Sequence, residues 1–138
     1  MAIYTIGDLL EHRTETAMRV CGIFDESEVG EVSPISYIEH SGQHTFATVW
    51  MFGNKKIFSA MFELIPGDFE EPTEPHGTQF FDVYRFKNID DIKVDDFGCV
   101  ITLRTGKKLE LKSNTLEGKD AFTFSAHGLI SLWDNYAD

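Results

Sequence analysis

The chain reads as an α+β protein that is mainly antiparallel β, with about seven or eight strands in a curved sheet or small barrel. A short helix is expected at the N-terminus and another at the C-terminus. Three observations carry this reading. Runs of period-two alternation are separated by hairpin-short connections, and no strand–helix–strand alternation is visible. Twelve Phe, four Tyr and two Trp supply the large apolar area that a core needs. The last dozen residues carry an apolar stripe at helical spacing. A length of 138 residues fits one domain spanning 1–138.

The elements follow in order. Thr5 precedes Asp8 by three positions, ahead of Leu9 and Leu10, which resembles a weak capping box for a helix over 6–13. Alternation over 17–24 reads as a strand, followed by an acidic turn over 25–31. Pro34 stands at the edge of a strand over 35–40. Strands over 44–52 and 57–65 form a hairpin around Gly53 and Asn54. Trp50 and Phe52 share one face of the first strand, while Ala47, Val49 and Met51 share the other. Strands that are apolar on both faces belong in the middle of a covered sheet.

The segment Pro66 to Thr78 holds three Pro and two Gly, which exclude a central strand and make it a long loop. Strands resume over 79–86, 89–94, 99–104 and 107–113. In the last of these, Leu109 and Leu111 alternate with Lys108, Glu110 and Lys112, so one face is wet. Phe122 and Phe124 suggest a final short strand, and His127 to Tyr136 a helix.

Motifs for chemistry are sparse. No Gly-rich phosphate cradle or nucleophile elbow is present, so no catalytic residues and no cofactor are assigned. Glu39, His40 and His44 flank one turn and form a conceivable metal set, but they lack the one-face spacing of helical ligands, and no metal is assigned. Asp25-Glu26-Ser27-Glu28 and the Asp90, Asp91, Asp95, Asp96 group lack calcium-loop spacing and read as solvated turns. Cys21 and Cys99 lie in apolar runs and read as buried thiols in a reducing compartment. The N-terminus has no basic, apolar leader, and no stretch approaches membrane-spanning length, so a cytoplasmic location is expected.

Parts of the run 35–113, with Ile35-Ser-Tyr-Ile-Glu39, Phe80-Phe81, Val83-Tyr84-Arg85 and Gly106-Lys107-Lys108-Leu109, resemble the LytTR family of β-rich DNA-binding domains. The pattern departs from that family at Tyr84-Arg85-Phe86, where a His-Arg-Ser step would stand. DNA binding is all that the resemblance would imply, and the charge of the chain opposes it.

Charge is the strongest functional signal. Asp plus Glu number 23 against 12 Lys plus Arg, a net of −11. Residues 1–84 hold 14 acids and 4 bases. Such a balance disfavours direct nucleic-acid and anionic-membrane binding and favours a protein partner with a basic surface. Two acidic clusters, Asp25, Glu26, Glu28 and Glu31, and Asp68, Glu70, Glu71 and Glu74 around Phe69, are the candidate partner-binding residues. The expected function is a non-enzymatic acidic binding protein of the inhibitor, immunity or antitoxin type, at the extreme a nucleic-acid mimic. The alternatives are a β-barrel-like module that binds a small ligand or self-assembles, through aromatics such as Trp50, Phe52, Tyr84 and Trp133, and a small enzyme with no recognisable motif.

Overall fold

The computed structural model describes residues 34–53, 55–65, 79–116 and 118–136, together with Val32. Seven antiparallel strands form two open sheets, followed by one long helix. The first sheet has the order β1-β2-β3-β4, with β1 Ile35–Ser41, β2 His44–Phe52, β3 Lys56–Glu63 and β4 Gln79–Arg85. A 3-10 turn, Phe86–Asn88, leads into the second sheet, β5-β6-β7, with β5 Ile89–Asp95, β6 Gly98–Leu103 and β7 Lys108–Lys112. Helix α1 runs over Lys119–Tyr136. Among the described residues neither sheet closes, so the small barrel is replaced by two separate sheets. The break falls at the 3-10 turn, where Phe86 is buried and the chain leaves the first sheet. The N-terminal helix and the strand over 17–24 lie outside the described residues.

The two-faced pattern of β2 and β3 has the expected consequence. Ile35, Tyr37, Trp50, Phe52 and Ile57 on one face of the first sheet join Ile92, Ile101, Leu109 and Leu111 of the second and Phe122, Ala126 and Leu129 of α1 in one core. Ala47, Val49, Met51, Phe58, Ala60 and Phe62 form a second buried cluster on the opposite face. Both central strands are thus buried on both sides, whereas β7 buries only Leu109 and Leu111. The edges of the two sheets meet where the Tyr37 hydroxyl, which accepts from Trp50 Nε1 at 2.9 Å, donates to the Glu110 carbonyl at 3.3 Å.

The C-terminal segment corrects the expected strand at Phe122 and Phe124. Both residues lie in α1, which begins eight positions earlier than the stripe over 127–136 suggests. Gly118 adopts φ +101, Thr115 Oγ donates to its carbonyl at 2.8 Å, and the same carbonyl accepts the Phe122 N–H at 3.1 Å. This turn starts the helix. Gly128 lies against Val32, whose side chain would stand 3.0 Å from an added Cβ, so the small residue permits a close approach of helix and incoming chain.

Candidate functional site

A meander sends successive turns to alternate ends, and here the turns sort by charge. The β2–β3 turn, the β4–β5 corner and the β6–β7 turn share one end. They are tied by Phe86 N–H to the Lys55 carbonyl at 2.9 Å and by Arg104 N–H to the Asn88 carbonyl at 2.8 Å. This end gathers Lys55, Lys56, Arg85, Lys87, Arg104, Lys107 and Lys108, against Asp82 and Asp90. The Lys107 ammonium lies 5.6 Å from the centre of the Tyr84 ring, which stacks on Trp50 at 6.4 Å. Burial, then Asp82, pushes the Tyr84 hydroxyl pKa up, and Lys107 opposes them.

The other end is acidic and carries an exposed ring. Asp95 Oδ1 accepts the N–H groups of Phe97 at 2.7 Å and Gly98 at 3.0 Å, an Asx turn that fixes the β5–β6 tip. Ser113 Oγ donates to the Asp96 carbonyl at 3.1 Å. On this tip Phe97 is 89% exposed, the highest value among the large exposed apolar residues. Beside it an open concavity of about 440 Å³ is lined by Asp95, Phe97, Cys99, Glu110, Leu111 and Lys112, among others.

Ion pairing divides the two ends. Lys112 lies 3.2 Å from Glu39, Lys119 4.0 Å from Asp96 and Lys93 3.9 Å from Asp91. Among the described residues, none of the seven cations at the basic end has a carboxylate partner within that range.

The predicted acidic residues Asp25, Glu26, Glu28, Glu31, Asp68, Phe69, Glu70, Glu71 and Glu74 all lie outside the described residues. Their neighbours in sequence place their attachment. Segment 66–78 lies between β3 and β4 in the chain, and 25–31 precedes β1, whose start pairs with Trp50 toward the basic end. The described residues hold ten acids and ten Lys plus Arg.

The conceivable metal set is dispersed. Glu39 faces Lys112, the His40 ring shares a hydrogen bond with Thr45 Oγ at 3.1 Å, and His44 Nδ1 lies 2.5 Å from Glu63 Oε2. Among the described residues no group of three or more His, Cys, Asp or Glu is arranged to hold a metal. The calcium-type acids are engaged locally, with Asp95 capping its turn, Asp91 beside Lys93 and Asp96 beside Lys119. Trp50 and Phe52 are buried core residues, and Tyr84 and Trp133 pack against that core. No described helix is long and apolar enough to cross a membrane.

Cys99 is buried, and burial, then Asp95, pushes its thiol from 9.0 up to about 12. Burial likewise pushes Tyr37 from 10.0 up to about 12, outweighing the hydrogen bond from Trp50. Both groups hold their protons more tightly when folded. Their contribution to stability is therefore complete below pH 9 and is lost as pH rises through the window from 9 to 12. Each is worth on the order of 3 kcal/mol. The urea midpoint is expected to stay level to about pH 9 and then to fall, and Cys99→Ala to delay the onset toward pH 10, where the Tyr37 hydroxyl of the unfolded chain begins to ionise.

Comparison with known families, curated proteins and solved structures finds no match.

Proposed function

We propose that this chain is a non-catalytic binding protein that covers a basic surface on a protein partner, in the manner of an inhibitor, immunity protein or antitoxin. The observation that carries this reading is the uneven distribution of charge along the chain. Acids kept for solubility alone would be spread along the chain. Here residues 1–84 hold 14 acids and 4 bases, and two runs, 25–31 and 66–78, hold four acids each and no Lys or Arg. Segment 66–78 lies between β3 and β4 in the chain. Concentrated negative charge of this kind steers association with a basic protein and sets its orientation.

The test is parallel affinity capture from the native host with two baits, the natural chain and the Glu70→Lys, Glu71→Lys, Glu74→Lys variant. The natural bait is expected to retain a protein with a basic face, with recovery falling at high salt. The variant is expected to recover at least about tenfold less, the scale of losing a few close charge pairs. Equal recovery of the same protein by both baits overturns the assignment of that segment, and capture of no basic-surfaced protein overturns the reading.

A further inference from the structure

We infer that two copies of this chain pair about a two-fold axis, each seating its Phe97 ring in the concavity beside the other's Phe97. Knob and hollow stand side by side on one molecule. Phe97 projects from the β5–β6 tip with 89% of its surface exposed. The open concavity of about 440 Å³ next to it is lined by Asp95, Val100, Glu110, Leu111 and Lys112 as well as by Phe97 itself. A space of about 150 Å³ is enough to take a benzene ring, so the hollow has room for a phenyl side chain. A projection adjacent to its own receptacle is what a two-fold contact needs, because each copy then gives a ring and receives one. Since each ring also lines the hollow that receives its counterpart, the two rings meet near the axis, where an aromatic pair adds to the area that is buried.

The surround of the ring is complementary to itself. In the strand register Lys93, Val100 and Glu110 form one row and Asp95, Gly98 and Lys112 the next. Val100 is half-buried and apolar, and the two Lys and two carboxylates of these rows are all exposed. A patch that holds both signs equally can face its own copy without gathering like charge, whereas a patch of one sign cannot. Lys112 lies 3.2 Å from Glu39 and Lys119 4.0 Å from Asp96, and these exposed pairs give the patch a polar rim. The tip is also ordered before docking. Asp95 Oδ1 accepts the N–H groups of Phe97 and Gly98, and Ser113 Oγ donates to the Asp96 carbonyl, so little ordering entropy is lost when the ring is buried. The net charge of −11 on each copy repels the other at long range. At physiological ionic strength the screening length is about 8 Å, so the facing patches decide the contact.

The test is sedimentation of the full chain over a range of salt, with amide NMR spectra to locate the contact. The natural chain is expected to show a monomer–dimer equilibrium and nothing larger, because a two-fold contact closes on itself. The dimer is expected to weaken at about 0.01 M ionic strength, where the screening length reaches about 30 Å, and to persist in 1 M salt. A contact held by unlike charges would show the opposite order. Amides of residues 95–98 and 110–114 are expected to shift with concentration. Phe97→Ala is expected to raise the dimer Kd at least about 30-fold, the scale of losing a central aromatic anchor. Val100→Trp, which fills the hollow from within its own copy, is expected to do the same. Phe97→Ala changes an 89% exposed side chain and leaves the urea midpoint unchanged, so it decides the matter even if Val100→Trp does not fold. A natural chain that stays monomeric to millimolar concentration, a dimer indifferent to Phe97→Ala, or shifts confined to other residues overturns the proposal. Capture of a basic protein by a monomeric natural chain but not by Phe97→Ala overturns it as well and assigns the ring to that partner.

Discussion

Replacing Phe122 by Ala is expected to destabilise the protein by about 3–5 kcal/mol, while Phe124→Ala changes stability by no more than about 0.5 kcal/mol. The two residues are chemically identical and two positions apart. In a helix that spacing turns a side chain by about 200°, so one faces in and the other out. Phe122 is 1% exposed and packs with Ala126, Leu129 and the inner strands, whereas Phe124 is 77% exposed. Truncating Phe122 removes its transfer energy and leaves a cavity between α1 and the sheets. Urea unfolding of the two variants measures the difference directly. Similar, large losses in both would mean that the segment does not present a single helical face to the core.

Gly98→Ala is expected to cost about 1–3 kcal/mol or more, the range for forcing an added group into packed structure. A Cβ at this position would stand 2.3 Å from the Leu111 carbonyl oxygen, which belongs to the neighbouring strand and has no rotamer through which to yield. Gly98 and Lys112 are paired at the end of the β6–β7 ladder, so the clash also loosens the turn that presents Phe97. Thermal unfolding should show a midpoint lower by several degrees. Gly106→Ala is the instructive control: its added Cβ meets nothing within 4 Å, and the cost there comes only from φ +94. If Gly98→Ala proves no worse than that control, the close approach is not what selects glycine.

Much of the sheet was legible in the chain because strand periodicity is a local signal. Trp50 and Phe52 against Val49 and Met51 predicted a strand buried on both faces, and β2 is central. Leu109 and Leu111 against their charged neighbours predicted the single wet face of β7. Phe122 and Phe124 misled because apolar residues at i and i+2 satisfy strand alternation, and only packing shows that the second faces solvent. Cys99 reads as a buried thiol from its apolar run, and it is one. The cationic end went unseen because Lys55, Arg85, Lys87, Arg104 and Lys107 lie in separate turns with no shared motif. One signal was available: alternate turns of a meander fall on the same end, and the second, fourth and sixth all carry bases.

What the sequence determined by itself was the antiparallel class, the two apolar faces of β2 and β3, the single wet face of β7 and the net charge of −11. These depend on which residues are neighbours along the chain and on their sum. Tertiary structure alone decided that the described strands divide four and three at Phe86–Asn88, and that helix α1 starts at Lys119. It also decided that cations from three separate turns gather at one end of the described residues, and that Phe97 is exposed on a tip held by Asp95. Charge position depends on which turns are brought together, and that follows from long-range strand pairing, which leaves no mark in a local pattern.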